Sequence, residues 1–256
     1  MFPVMGLFLF FIPRTCMETK AAIVAALKRE VAPLVSRWQR SRKEFEGREF
    51  EFFASGSTLL VCGGIGAQSA RRAAEAVIQF YHPDVLISAG FAGALQSDLR
   101  VGEVITPRTV IDASDGSRSD TGRDAGILVS YGAIADAVQK QKLARAFGAQ
   151  AVDMEAAAVA RGAEAHGVRF MACKAISDDS DFSMPELAHF VDADGRFQTG
   201  KFAVHVALRP WLWADTMRLA RGSALACKNL CQALTALTDL ETHEPIAMQV
   251  GVSVKS

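Results

Sequence analysis

Apolar runs that show no alternation constrain the fold of this chain more than any other feature. They cover Ala21–Leu27, Ser57–Cys62, Asp84–Ala89 and Arg169–Ile176. A strand that is apolar throughout is buried on both faces, and helical stretches separate these runs. The pattern predicts an α/β fold in a single domain, with a central mixed twisted β-sheet flanked by helices. Ligands of such sheets bind at the carboxyl ends of the strands.

The two ends of the chain depart from this pattern. Residues 1–13 form an apolar run, but no basic residues precede it and no small-residue cleavage site follows it, as a signal peptide requires. The run is also shorter than the roughly 20 residues that span a bilayer. We expect residues 1–16 to form a leader outside the fold, with a membrane-contacting anchor as the alternative. The domain is predicted over residues 17–240, without repeat or linker, and an irregular tail over 241–256.

Charge and cysteine usage exclude several classes of protein. Lys plus Arg and Asp plus Glu number 28 each, so the chain lacks the basic footprint of a nucleic-acid-binding protein. Its five cysteines are odd in number and scattered, which favours a reducing, cytoplasmic location. Cys227 and Cys231 are spaced as on one helix but have no second ligand pair nearby, so no metal site is expected. No stable membrane insertion is expected either.

Two segments place acids at the mouths of buried strands. The first, Val152–Ala160, reads VDMEAAAVA, and the second, Lys174–Asp179, reads KAISDD. Acids are costly at such positions unless a ligand or another partner compensates them. The spacing predicts a small-molecule pocket in which one carboxylate binds a sugar and another protonates a base. Glycines mark two further strand ends, at residues 63–66 and 90–93.

Together with Ala26–Glu30, these segments resemble the nucleoside phosphorylase and nucleosidase superfamily, which includes purine nucleoside phosphorylase, uridine phosphorylase and methylthioadenosine/S-adenosylhomocysteine nucleosidase. The resemblance covers residues 21–235 and implies a phosphorylase/hydrolase-like fold. It implies that Asp178 donates a proton to purine N7 and that Glu155 grips the ribose hydroxyls, with Met154 against the sugar. The other residues that it implies in substrate binding are Gly64, Gly90, Phe91, Val152 and Ser177.

Each acid also has a purely structural alternative. Glu30 and Glu155 could be first-turn helix acids favoured by the helix dipole, and Asp178 could be an Asx-turn or N-cap residue. As an acid catalyst, Asp178 must hold a proton near neutral pH, which burial at a strand end favours. Asp179 and Asp181 would add to this effect if they lay close. The functional roles require that Glu30, Glu155 and Asp178 converge on one cavity.

The nucleophile distinguishes hydrolysis from phosphorolysis. Nucleosidases of this family activate water with a glutamate after the first strand, and Glu30 within Ala25–Val31 matches that register. The phosphorylases hold phosphate with an arginine on a later strand, where this chain has Ser88, and Phe91 replaces a hydroxyl residue. The resemblance therefore implies a nucleosidase that uses Glu30 as the catalytic base and needs no cofactor.

Two alternatives to hydrolysis stay open. One is a purine nucleoside phosphorylase whose phosphate site uses Gly64, Arg29 or Lys28. The other is a nucleoside-binding protein without turnover. Family members are usually oligomers, so the resemblance implies a homo-oligomer, with a dimer favoured, that binds a small nucleoside.

The 5′ group of the nucleoside is suggested by three segments. The AVDMEAAAVA phrase, Met184-Pro185 and Leu208–Pro210 are similar to the hopanoid-associated nucleosidase branch, which acts on adenosylhopane. The substrate class is therefore an adenine nucleoside with a modified 5′ group of the methylthioadenosine, S-adenosylhomocysteine or adenosylhopane type. Ser130–Ile134 lacks the Asp-Ala-Phe sequence whose ring stacks on the purine in methylthioadenosine nucleosidases, which leaves Phe182 or Tyr131 as the candidate stacking residue.

Overall fold

The computed structural model describes residues 19–123, 125–192 and 195–243. The strands are β1 (Ala21–Ala25), β2 (Gln39–Phe45), β3 (Arg48–Ser55), β4 (Thr58–Cys62), β5 (Val85–Ala94), β6 (Val104–Ile105), β7 (Thr109–Asp112), β8 (Arg118–Asp120), β9 (Ile127–Ser130), β10 (Ala151–Asp153) and β11 (Arg169–Asp178). The α-helices are α1 (Lys28–Val35), α2 (Ala67–Tyr81), α3 (Ala137–Phe147), α4 (Ala156–Ala165), α5 (Thr199–Ala207) and α6 (Trp213–His243). Two 3₁₀ helices cover Pro185–Phe190 and Pro210–Leu212.

The strands form one mixed sheet, which confirms the predicted fold class. Its order is β2-β3-β4-β1-β5-β10-β9-β7-β8, and β11 pairs with β5 and β6 off this path. β1 runs parallel to β4 and β5, and β11 runs parallel to β5. The end of β5 pairs antiparallel with β10 at Gly93 and Ala94. The carboxyl ends of β1, β5 and β11 therefore share one edge, where ligands bind in sheets of this kind.

Helices cover both faces of the central strands. On one face α2 packs against α4 through small side chains, and a Cβ on Gly162 would lie 3.3 Å from that of Ala74. On the other face α1 and α6 bury Val31, Leu230 and Leu234 against β1, β5 and β11. Full burial of such a side chain contributes about 1.5–3 kcal/mol. Cover on both faces explains why these strands are apolar throughout.

Local sequence patterns predict a polar segment over residues 39–47, one strand from Val101 through Val110, a loop over Asp112–Asp124 and a helix over Ala67–Tyr81. The first three differ from the observed elements. Residues 39–47, predicted as a polar segment, contain β2, because an edge strand exposed to solvent accepts polar side chains. The strand predicted through Val110 splits into β6 and β7, since Pro107 has no N–H to donate to a ladder. The loop predicted over Asp112–Asp124 contains β8, which pairs with β7. The predicted helix over Ala67–Tyr81 matches α2.

The chain ends are only partly described. The predicted leader, residues 1–16, and residues 244–256 of the predicted tail lie outside the described residues. α6 continues to His243, beyond the predicted end of the domain at residue 240. Within the described ranges, no helix combines the length and the apolar character needed to cross a bilayer.

Gly222 lies where α6 passes the end of β11, and its missing side chain matters for stability. A Cβ there would overlap the carbonyl oxygen of Ser177 and lie 3.0 Å from Cγ1 of Val101. Replacement of glycine by alanine in a helix interior normally stabilises a protein by about 0.5–1 kcal/mol. We expect Gly222→Ala to destabilise the protein by about 1–3 kcal/mol instead, because the overlap forces α6 away from the sheet. Urea denaturation measures this difference.

Gly200 in α5 provides the matched control, because nothing lies within 4 Å of a Cβ built there. Gly200→Ala is expected to be neutral or slightly stabilising. Stabilisation by both substitutions would contradict the close approach of α6 to Ser177.

Candidate active site

A cavity of about 680 Å³ opens at the carboxyl ends of β1, β5, β10 and β11. Its size is typical of small-molecule sites, which are roughly 300–1,000 Å³. The three predicted acids, Glu30, Glu155 and Asp178, all line it. The other predicted site residues in its wall are Phe91, Val152, Met154 and Ser177. The structure thus brings the three acids to one cavity, as the functional roles require.

The two glycines predicted to bind substrate do not line this cavity. Gly90 pairs with Lys174 across β5 and β11 at a φ of +148°, and a Cβ there would lie 3.0 Å from Oε2 of Glu30. Its role is to leave room for that carboxylate. Gly64 donates its N–H to the carbonyl oxygen of Ala26 at 2.9 Å and so shapes the turn after β4. Substrate contact by these two glycines stays a prediction.

A buried ion pair includes Asp153, which lines the cavity. Nζ of Lys174 lies 2.8 Å from Oδ2 of Asp153, and both side chains are almost fully buried. Asp153 also accepts hydrogen bonds from the Ser130 hydroxyl at 2.6 Å and from the Ala156 N–H at 2.9 Å. Burial disfavours the ammonium form of Lys174, but the charges of Asp153 and Glu155 outweigh burial and raise its pKa. Lys174 therefore keeps its positive charge beside the glutamates.

Glu155 is held in place by backbone N–H groups. Its Oε1 accepts from Gly66 at 2.8 Å, and its Oε2 accepts from Met154 at 3.3 Å. Burial, with a further contribution from the charge of Asp153, raises the pKa of Glu155 to about 7, while Lys174 opposes the rise. Each carboxylate oxygen has two lone pairs, so capacity for two sugar hydroxyls remains.

Glu30 lies in the first turn of α1 and is 6 % exposed. The N–H of Leu27 is 3.4 Å from its Oε2, which is a long hydrogen bond. Burial and then the charge of Glu155 raise the pKa of Glu30 to about 7, against the opposing charge of Lys174. A carboxylate that changes its protonation state near neutral pH is suited to accept a proton from water.

Asp178 lies at the end of β11, where a bulge shifts the register with β5 between Ile176 and Asp178. Its Oδ2 is 2.5 Å from Nζ of Lys140, and its Oδ1 accepts the Ser177 hydroxyl at 2.6 Å. Lys140 is 2 % exposed and donates a second hydrogen bond to the carbonyl oxygen of Asp179 at 2.6 Å. The absent side chain of Gly93 leaves space for this pair.

Asp179 and Asp181 do not crowd Asp178. Asp179 and Asp181 both pair with the exposed Arg218, at 2.7 and 3.0 Å. The charged group next to Asp178 is a buried ammonium, which stabilises the carboxylate through a charge-assisted hydrogen bond. Any acid role of Asp178 must therefore involve Lys140.

Residues 20–138 and 126–200 match the model of a protein family described as the Phosphorylase superfamily. The chain belongs to this superfamily. The match spans most of the described residues and includes the segments that supply Glu30, Glu155 and Asp178. The family predicted from those segments is therefore confirmed.

Curated relatives match a shorter stretch of the chain. A 5′-methylthioadenosine/S-adenosylhomocysteine nucleosidase of Hydrogenovibrio crunogenus is 33 % identical over 95 residues, which are 36 % of this chain and 40 % of that protein. The chain thus matches about two-fifths of the length of this relative.

Solved structures show the same fold over most of the chain. Futalosine hydrolase of Helicobacter pylori superposes on this chain with a TM-score of 0.66 at 17 % sequence identity. The superposition covers 88 % of this chain and 99 % of the futalosine hydrolase chain. The 5′-methylthioadenosine nucleosidase of Arabidopsis thaliana gives a TM-score of 0.69 at 17 % identity, with 89 % and 97 % covered. At this identity the likeness shows the fold.

The aromatic residues proposed to stack on a base are not in the cavity wall of this superfamily member. Phe182 is buried against Met184 and Leu212, and Tyr131 packs in a separate cluster with Leu143. Phe91, Phe197 and Phe202 line the cavity instead. Phe197 and Phe202 come from a stretch between β11 and α6 that gave no clear sequence pattern. They were therefore missed.

Three buried charged residues of the site, Asp153, Lys174 and Lys140, were also not predicted as site residues. Asp153 lies in the VDMEAAAVA segment. An acid in an otherwise apolar strand could have indicated a buried charged residue there. Lys140 lies in a helix that also carries Lys142, and nothing in the sequence separates the two. Only the fold shows that Lys140 points inward to Asp178 while Lys142 is exposed.

The raised pKa of Glu30 predicts a pH-dependent effect on stability. Its folded-state pKa of about 7 exceeds its ordinary value of 4.5, so its stabilising contribution is complete below pH 4.5 and is lost as pH rises through 7. Glu30→Gln removes this loss. We expect the free energy of unfolding of the variant to exceed that of the natural protein by an amount that grows to about 3 kcal/mol between pH 5 and pH 8. Thermal unfolding across this range measures the gain.

Glu44→Gln, at an exposed position in β2, is the matched control and is expected to follow the natural protein at every pH. A difference between Glu30→Gln and the natural protein that stays constant with pH would show that Glu30 does not titrate near 7.

Proposed function

We propose that this protein hydrolyses the N-glycosidic bond of an adenine nucleoside that carries an apolar 5′ substituent. The observation that carries the proposal is the convergence of Glu30, Glu155 and Asp178 on one cavity with a long apolar wall. The names of its relatives, which are nucleosidases and a futalosine hydrolase, support the same reaction class.

Glu155 and Glu30 act at the sugar in this proposal. Glu155 accepts hydrogen bonds from the ribose hydroxyls, and its charge favours the positive charge that develops on the ring. Glu30, as a carboxylate, takes a proton from water while the water oxygen attacks C1′. The C1′–N9 bond breaks, and its electron pair leaves with the purine.

Asp178 and Lys140 act at the base. The leaving purine needs a proton at N7 to depart as a neutral molecule. The Lys140 ammonium passes a proton to the Asp178 carboxylate, and Asp178 delivers it to N7, so the net step leaves a neutral amine paired with a carboxylate. The direct hydrogen bond between the two side chains supports this route.

The apolar wall supports a 5′ group of hydrocarbon character. It is formed by the stretch between β11 and α6 and by α6 itself. Its large members are Leu187, Val191, Phe197, Phe202 and Leu219. Because such a wall favours hydrocarbon over polar groups, adenosylhopane is the preferred substrate in this proposal. Methylthioadenosine is an alternative substrate with a smaller 5′ group.

Product analysis tests the reaction. We expect release of adenine from adenosylhopane and methylthioadenosine in phosphate-free buffer, with the corresponding 5-substituted ribose as the second product. The kcat/KM is expected to rise with pH to a plateau above about 7, since Glu30 must be deprotonated. Glu30→Gln should lower kcat by about 10²-fold or more, whereas Glu44→Gln should leave it unchanged.

Phosphorolysis is the second candidate, because Arg29 borders the cavity beside Glu30. Lys28 does not border the cavity, and its ammonium pairs with the Glu51 carboxylate at 3.1 Å. Strict dependence on phosphate, with a ribose-1-phosphate product, would establish this candidate and reject hydrolysis. Turnover of methylthioadenosine alone would reject the hopanoid substrate.

Lys140 variants test the proton transfer. Lys140→Met should lower kcat by about 10²-fold, because the proton donor is lost. Lys140→Arg keeps a positive charge but cannot give up a proton, so it should be nearly as slow. Steady-state kinetics with methylthioadenosine measure both, and Lys142→Met on the exposed side of α3 is the control. Near-normal activity of Lys140→Arg would mean that Lys140 only holds Asp178 in place.

A further inference from the structure

One surface of the protein is both apolar and uncovered. α5 has no buried residue, although its sequence, TGKFAVHVA, is largely apolar. Its exposed residues other than Thr199 and Lys201 are spaced as one helix face: Gly200, Ala203, Val204, Ala207 and the following Leu208. The opposite side of α5 packs internally, as Phe202 and His205 stack on Phe190. An apolar helix face turned outward is unusual in a water-soluble protein and marks a binding surface.

The same surface continues onto the start of α6. Trp211 and Trp213 are 71 % and 54 % exposed, and Met217 is 52 % exposed. The indole N–H of Trp213 donates to the carbonyl oxygen of Val206 at 3.0 Å, which joins α6 to α5 and satisfies the polar end of the ring. We call Val204, Leu208, Trp211, Trp213 and Met217 the α5–α6 face.

Basic residues outnumber acids in the segment that carries the α5–α6 face. Residues 195–228 contain six Lys or Arg and one acid, Asp215, although the whole chain is balanced at 28 of each sign. Lys201, Arg221 and Lys228 are exposed, and Arg218 is tied to Asp179 and Asp181. Exposed Trp and aliphatic side chains among basic residues are the composition of a segment that lies in the interface of an anionic bilayer.

The cavity opens beside this surface. Ala220 and Ala224 of α6 are exposed and also line the cavity, as does Phe202 of α5. On the wheel of α6, Trp213, Met217, Ala220 and Ala224 follow one another at spacings of three and four residues. A surface that covers the α5–α6 face would therefore also border the mouth of the cavity.

We propose that the α5–α6 face docks on the surface of an anionic lipid bilayer, with the aromatic and aliphatic side chains in the interface and the basic residues at the headgroups. The docking is peripheral. The inference does not rest on the proposed reaction, because binding is measured without substrate. A failure of the nucleosidase assay would leave it standing, and the reverse also holds.

Vesicle sedimentation of the full chain tests this. The probes are vesicles of phosphatidylcholine alone and of phosphatidylcholine mixed with phosphatidylglycerol. We expect about tenfold stronger partitioning to the mixed vesicles, falling with added salt. The double variant Leu208→Gln with Trp211→Gln should lower the partition coefficient at least about tenfold. Val138→Gln, at a residue of α3 that is 61 % exposed, should have no effect.

A second variant keeps the test independent of any packing change in the first. Lys201→Gln with Arg221→Gln leaves the apolar residues intact and should remove most of the preference for phosphatidylglycerol, at about fivefold for each charge. Circular dichroism of both double variants serves to check that they are folded.

Three results would overturn the proposal. The first is equal binding by the natural protein and the Leu208→Gln, Trp211→Gln variant. The second is loss of binding only when the apolar residues 2–16 are deleted. The third is absence of vesicle binding together with a dimer that this variant converts to a monomer in analytical ultracentrifugation, which would make the α5–α6 face a contact between copies of the chain.

Discussion

The burial of three carboxylates beside a single ammonium is the constraint on which the rest of the site depends. Asp153, Glu155 and Glu30 surround Lys174 at the ends of β1, β10 and β11. Burial, with a further contribution from the excess of negative charge, raises the pKa of both glutamates to about 7. The cluster costs stability, as strained or unbalanced charge at functional sites generally does. A ribose ring that develops positive charge in the transition state would balance the excess negative charge of the carboxylates. The electrostatic destabilisation of the free site would then be relieved during the reaction.

Backbone geometry holds this cluster in place more than side-chain packing does. Gly90 stands opposite Lys174 in the ladder between β5 and β11, and its lack of a side chain admits the Glu30 carboxylate. The N–H groups of Gly66 and Met154 fix Glu155. Because backbone donors are set by the sheet and the turns, the acids are positioned by the fold itself. Substitution of the glycines would displace carboxylates that no neighbouring side chain could restore.

The sequence predicts the fold class and the three acids because both leave a strong pattern. Continuous apolar runs identify central strands, and an acid where such a run ends has few structural uses. Other parts leave no pattern. β2 is polar on an exposed edge and resembles a loop. Lys140 is indistinguishable from Lys142 until Gly93 and Asp178 are brought beside it by the sheet. Contacts between residues far apart in the chain decide such cases, and a single sequence does not contain them.

α6 connects the two ends of the functional surface. Gly222 lets it approach the bulge that positions Ser177 and Asp178, while Ala220 and Ala224 lie at the cavity mouth. An open mouth and a raised pKa are in tension, because water that enters the cavity weakens the desolvation on which the glutamates depend. A lipid surface over the α5–α6 face would exclude bulk water from the mouth and leave the inner charges in low dielectric. It would also present hydrocarbon to the apolar wall. The exposed apolar helix and the buried acids are then parts of one arrangement, in which the surface that delivers an apolar substrate also keeps the site dry.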